Sequence, residues 1–168
     1  MIPRSLCTLL LFALAGLSAS DALAQERAVR TIRSWEAPVK VDGRTEMHRV
    51  EMAFDYDRGV TIRRVYGPGG DLLEEREVAG QPAPNAEELA AARDLVAADP
   101  VLSDLLADTG ATIEGGFLYN GDTVPACGPT SRCLQFDLIG PSRAESVRFV
   151  VVDLTTGEVV ERDLHPGL

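Results

Sequence analysis

The sequence predicts an α+β fold in which antiparallel β-meanders flank two short helices, with a curled sheet packed on those helices. Three patterns along the 168 residues support this prediction. Before residue 81, apolar and polar residues alternate, which is typical of strands with one buried face. Apolar residues then recur at helical spacing over residues 85–108, and the alternation returns after residue 111. Because strands and helices fall in separate runs, an α/β fold with a parallel sheet is not expected.

The first 24 residues are predicted to be a secretory signal peptide that is cleaved and takes no part in the fold. Arg4 precedes an apolar run from Leu6 to Leu17, and Ala22-Leu23-Ala24 supplies small residues at a cleavage site. The run is shorter than the roughly 20 residues that a membrane-spanning helix needs. We therefore expect an exported protein, periplasmic or secreted, that starts at Gln25 and does not insert into the membrane after cleavage.

Residues 25–80 are predicted to form an N-terminal β-meander. Val50, Met52 and Phe54 alternate with more polar residues, and Arg58-Gly59 then turns the chain into the next strand. A second turn at Gly67–Gly70 precedes another strand, and Asp42-Gly43 is a turn signal after the first one. We expect four strands, around residues 29–35, 50–56, 60–66 and 71–78.

Residues 81–110 are predicted to form two helices. Asn85 and Glu88 have the spacing of a capping box at the start of the first helix. Asp99-Pro100 ends that helix and starts the second, because aspartate caps well and proline is tolerated at the first helical position. Gly110 suits the C-terminal cap. The residues expected to face the sheet are Leu89, Leu95, Val96, Leu102 and Leu105.

Residues 111–168 return to a strand pattern, which includes the alternation of Leu134, Phe136 and Leu138 and a hairpin from Val147 to Leu164. That hairpin is similar to the one from Val60 to Val78, and both duplication and ordinary hairpin chemistry explain the similarity. We assign residues 25–80 to the meander and residues 81–168 to a helix-helix-β region, either as separate units or as one compact domain.

Signal cleavage removes one of the three cysteines and leaves Cys127 and Cys133. An even pair in an exported chain predicts a disulfide, and closing a ring of this size contributes roughly 2 kcal/mol. Redox couples favour two intervening residues, whereas five separate this pair. No histidine or further cysteine is near enough in sequence to complete a metal site.

The chain is acidic, with 16 basic and 26 acidic residues and a net charge of −10. This balance excludes nucleic acid and anionic membranes as expected partners. Residues 81–122 carry one base and eight acids, so most of the charge lies in the helical region. These acids either solubilise the outer helix face or form a docking surface for a basic protein or peptide. The predicted partner-binding residues are Glu87, Glu88, Asp94, Asp99, Asp104 and Asp108.

The sequence contains no named catalytic motif, and we predict neither a catalytic residue nor a metal or other cofactor. Of the two histidines, His165 is three residues from the end, so a catalytic triad would have to use His48. Met47 and Met52 near His48 could supply soft copper ligands, although Met47 should lie on the opposite face of the strand. The alternative function is therefore a hydrolase or a copper-dependent accessory protein centred on His48.

The segment Glu87-Glu88-Leu89-Ala90-Ala91-Ala92 and the hairpin Val151-Val152-Asp153-Leu154-Thr155-Thr156-Gly157-Glu158-Val159-Val160 resemble the PepSY-type module of exported bacterial proteins. Residues 85–164 also resemble the small cystatin-like α+β domains at the N-terminal end of copper amine oxidases. The chain departs from both patterns in its second helix and its disulfide-closed insertion. The resemblance implies a non-enzymatic module outside the cytoplasm that binds a protein or peptide and modulates a protease or another envelope partner.

Overall fold

The computed structural model of the protein describes residues 28–142 and 146–163. Within these residues, eight strands form two four-stranded antiparallel sheets, and two helices lie between the sheets in sequence. The predicted signal peptide, residues 1–24, and His165 lie outside the described residues. None of the helices in the described ranges combines the length and the apolar character that crossing a membrane requires.

The first sheet is a meander in the order β1 (Val29–Val41), β2 (Arg44–Asp55), β3 (Val60–Tyr66) and β4 (Leu72–Val78). The turn between β1 and β2 has a positive φ at both central residues, Asp42 (49°) and Gly43 (79°). Turns of this kind match the twist of paired strands, so the hairpin continues into two long strands, with one register shift between Thr31 and Arg33. The first strand is consequently longer than the sequence pattern indicated.

The two helices are α1 (Ala86–Ala98) and α2 (Pro100–Thr109). The predicted capping box is present: the backbone N–H of Glu88 donates to Asn85 Oδ1 (2.9 Å), and the N–H of Asn85 donates to Glu88 Oε2 (3.1 Å). Asp99 accepts the first free N–H groups of α2, and Gly110 ends that helix with a φ of 65°. All three predicted helix boundaries are confirmed.

The second sheet has the order β5 (Thr112–Leu118), β6 (Cys133–Ile139), β7 (Ser146–Asp153) and β8 (Glu158–Glu161). Both helices pack on it and form a core with β6 and β7. The fully buried members of this core are Ala92, Val96, Leu102, Leu134, Phe136, Leu138, Val150 and Val152. Gly116 in β5 has a φ of 105°, and its missing side chain leaves room for Leu89.

The predicted α+β class, with one curled sheet packed on the helices, is wrong. The described residues form a mainly-β fold of two separate sheets, and the strands of each sheet pair only with one another. Within each sheet, strands that are neighbours in sequence pair with each other, so neither sheet requires strands from the other half of the chain. Residue alternation shows that a strand exists but does not show which strands share a sheet, and this is where the prediction failed.

Cys127 and Cys133 are bonded, with their Cα atoms 5.9 Å apart, which is consistent with the predicted disulfide. Cys133 is the first residue of β6 and is buried against Val124 and Val151. The bond therefore holds the loop before β6 (residues 119–132) against the second sheet. We call this segment the disulfide loop.

Candidate functional site

A buried ion pair lies where the two halves of the chain meet. The Glu88 and Arg132 side chains are 1% and 0% exposed. Two parallel hydrogen bonds join them, from Arg132 Nε to Glu88 Oε1 (2.5 Å) and from Nη2 to Oε2 (2.8 Å). This bidentate geometry is the strong form of the arginine–carboxylate contact, and it compensates for removing both charges from water.

Further side chains extend the ion pair into a network that reaches the first sheet. The Tyr56 hydroxyl donates to Glu88 Oε1, and Arg132 Nη1 donates to Gln81 Oε1 (3.2 Å). The Arg132 guanidinium also lies over the Phe54 ring, 5.1 Å from its centroid. We call Tyr56, Gln81, Glu88 and Arg132 the junction network, because it connects the first sheet, the linker, α1 and the residue before β6.

The junction network fixes the ionisation of its members. Burial raises the pKa of Glu88, but the hydrogen bonds from Arg132 and Tyr56 outweigh burial and hold it below its usual value. Burial, followed by the hydrogen bond to the Glu88 carboxylate, raises the pKa of Tyr56. Glu88 is therefore a carboxylate and Tyr56 a neutral donor at neutral pH, an arrangement that supports the fold and leaves no free acid or base at this place.

We expect stability to decrease as the pH falls below about 4, the ordinary pKa of aspartate and glutamate in an unfolded chain, because the pKa values of Glu88 and Asp99 are lowered in the fold. The pKa of Asp99 is also lowered, chiefly by its hydrogen bond with Arg162. A carboxyl group with a depressed folded-state pKa stabilises the fold above its unfolded pKa, and this contribution is lost as the pH falls through the folded value. Urea denaturation between pH 3 and 7 would measure the loss. Asp99→Asn should make it shallower, and an unchanged slope in that variant would contradict the assignment to Asp99.

Two of the six predicted partner-binding carboxylates are engaged in ion pairs inside the protein. Glu88 is in the junction network, and the Asp99 side chain, only 6% exposed, pairs with Arg162 at 2.6 Å. The other four, Glu87, Asp94, Asp104 and Asp108, are exposed on the outer side of the helices. The structure thus divides the predicted set into two structural carboxylates and four that face solvent.

An apolar side chain accompanies the exposed carboxylates of α2. Val101 is 56% exposed, whereas Leu102 beside it is fully buried. Val101, Asp104 and Asp108 are three and four residues apart in succession, a spacing that places them on one side of a helix. The outer side of α2 therefore combines an exposed apolar residue with two carboxylates.

His48 lies in β2, on the face that also carries Val50 and Met52. Its ring is buried, its Nε2 lacks a hydrogen-bond partner, and the nearest carboxylate oxygen, of Glu46, is 3.6 Å away. Met52 is four residues along the strand, roughly 13 Å from His48, and Met47 is on the opposite face. The strand therefore does not bring the proposed copper ligands together.

In the described part of the chain, no three residues among histidine, cysteine, aspartate and glutamate are grouped so that they could hold a metal ion. A hydrolase or copper function centred on His48 stays a prediction. Comparing His48→Ala with the unaltered protein for hydrolase activity and metal content would test it.

Two surface clefts lie beside these ion pairs. The first, of about 210 Å³, separates the end of the first sheet from the disulfide loop and is lined by Gly59, Thr61, Glu77, Gln81 and Pro129 among others. The second, of about 450 Å³, surrounds the Asp99–Arg162 pair beside the turn before β8. His48 lines neither of these two clefts.

The junction network is not predicted by the sequence patterns, which place Glu88 on a docking surface and give no role to Arg132 or Gln81. One signal was available: Glu88, Ala92 and Val96 are spaced by four residues and lie on the buried side of α1. A carboxylate on the apolar side of a helix needs a buried cation, and that requirement could have indicated Arg132 at the start of the apolar strand β6.

The chain matches no family model, and no curated protein matches its sequence at a significant level. The PepSY-like and cystatin-like resemblance therefore stays a prediction.

Proposed function

We propose that the protein is an exported, non-enzymatic module that binds a basic protein or peptide through the outer side of its helices. The observation that carries this proposal is the exposed Val101 next to Asp104 and Asp108 on α2. The carboxylates would give a basic partner specificity and a high association rate, and Val101 would add an apolar contact.

The charge distribution supports a basic partner. The four exposed carboxylates of the helices have few cations near them in sequence, because Arg93 is the only base between residues 81 and 122. Its guanidinium lies over the Phe136 ring on the inner side of α1. The outer side of the helices is therefore negative, and a basic partner would associate faster and depend strongly on salt.

Binding of this kind would alter the activity of the partner. A module of this kind would restrain a protease or another envelope protein, as the PepSY-like resemblance implies. A structural subunit of a larger envelope assembly would use the same patch, and the identity of the captured partner would distinguish the two.

The test is capture of envelope proteins on immobilised protein, comparing Asp104→Asn/Asp108→Asn with a control that removes two carboxylates elsewhere, Asp57→Asn/Asp71→Asn. A partner should bind the unaltered protein and the control at low salt and should be lost at high salt. It should bind the α2 variant at least several-fold less. Equal capture by both variants, or capture that does not depend on salt, would count against this surface as the binding site.

A further inference from the structure

The two faces of the first sheet differ in charge. Strand register places Trp35 opposite Val50, and Val50 opposite Val65, so these residues form one row across β1, β2 and β3. Side chains alternate between faces along each strand, so the same register assigns every neighbouring residue to one face. We call the side that carries this row the tryptophan face. Its charged members are Arg30, Arg33, Arg44, Glu46, Arg63, Glu74 and Arg76.

The tryptophan face carries five arginines and two glutamates, while the opposite face is acidic. The charged residues of the opposite face are Glu36, Lys40, Arg49, Glu51, Asp55, Arg64, Glu75 and Glu77. That set contains three bases and five acids. In a chain with a net charge of −10, the tryptophan face is thus a local concentration of positive charge.

The exposed groups of the tryptophan face are those that dominate protein interfaces. Trp35 is 39% exposed, and the Arg33 guanidinium lies 5.6 Å from the centroid of its ring. Arg63 and Arg76 both bind Glu74, at 2.9 and 2.7 Å, so this group of three side chains has one surplus positive charge. Tryptophan and arginine are enriched among the residues that contribute most to binding.

Both helices pack on the second sheet and not on this one. Val50 and Val65 at the centre of the tryptophan face are buried, at 2% and 7% exposure, whereas Trp35, Arg33 and Arg76 around them are exposed. Strands in a sheet lie about 4.8 Å apart, so four strands offer a shallow surface roughly 15–20 Å wide. A surface of this width and shape suits a length of polypeptide better than a small molecule, which binds in a concave pocket.

We propose that the tryptophan face is a second binding surface, which takes an acidic segment of a partner protein. Carboxylates of that segment would pair with Arg33 and Arg76, and an apolar side chain between them would pack on Trp35. The sign of this surface is opposite to that of the helices. It therefore binds a different partner from the one proposed above, or a different part of the same partner.

Trp35 is the only tryptophan in the chain, so its fluorescence reports on this face alone. The probe is a 12-residue peptide of alternating glutamate and leucine, and the control peptide has glutamine in place of glutamate. We expect the glutamate peptide to change Trp35 emission saturably at low salt and to bind about tenfold more weakly to Arg33→Gln/Arg76→Gln. Both arginines are exposed, so the variant should keep its fold, which thermal unfolding would verify.

The matched variant is Arg49→Gln/Arg64→Gln, which removes the same charge from the opposite face. It should bind the glutamate peptide with nearly the affinity of the unaltered protein. Equal weakening by the two variants, or equal binding of the glutamine peptide, would overturn the proposal. Emission that changes with protein concentration alone, accompanied by self-association in sedimentation, would identify a second copy of this chain as the occupant and would also overturn it.

Discussion

Replacing Arg132 with methionine is expected to lower the free energy of unfolding by about 3–5 kcal/mol. The substitution leaves the Glu88 carboxylate buried at 1% exposure without its cation, and only Tyr56 and the backbone of Asn85 would still donate to it. Methionine fills much of the volume of the arginine stem, so the loss reports the missing charge more than a cavity. Guanidinium denaturation followed by circular dichroism would measure it.

Two comparisons make this expectation specific. Arg93→Met applies the same substitution to an arginine that is half-buried and also lies over an aromatic ring, and it should cost less than about 1 kcal/mol. Combining Arg132→Met with Glu88→Gln should cost clearly less than the sum of the single variants, because no charge then remains buried. Additive losses would show that Glu88 and Arg132 are not energetically coupled and that the junction network contributes little to stability.

The helices show how much local sequence determines. Capping at Asn85 and Asp99 and the left-handed Gly110 depend on residues within four positions of one another, and the sequence predicted all of them. Sheet membership depends on which strands meet after folding, and alternation along one strand contains no information about its partner. The separation into two sheets therefore could not be predicted from the alternation of residues along single strands.

The contacts of the candidate site also could not all be predicted from local sequence patterns. Glu88 and Arg132 are 44 residues apart, and their pairing requires α1 to be packed on the second sheet. The exposed carboxylates Asp104 and Asp108 could be predicted from helical spacing alone. The basic tryptophan face could not, because its arginines come from four strands and meet only through the register of the sheet.

Two turns of the structure share the same hydrogen bond and the same glycine conformation. Substituting their glycines should nevertheless change stability by different amounts. In the turn from β2 to β3, the N–H of Gly59 donates to Asp55 O (2.8 Å), and in the turn from β7 to β8 the N–H of Gly157 donates to Asp153 O (2.8 Å). Both glycines have a positive φ, 66° and 74°, and both aspartates are buried. The two halves of the chain therefore share this turn.

Gly59→Ala is expected to destabilise the protein by roughly 2–5 kcal/mol, whereas Gly157→Ala should cost only about 1–2 kcal/mol. Both substitutions place a side chain in the left-handed region, but a methyl group at Gly59 would also overlap the backbone of Thr130 in the disulfide loop. At Gly157 a methyl group meets no atom within 4 Å. The difference between the two variants therefore measures the contact between the first sheet and the disulfide loop, free of the cost of the turn itself. Equal losses in chemical denaturation would show that the stability of the protein does not depend on this contact between its two halves.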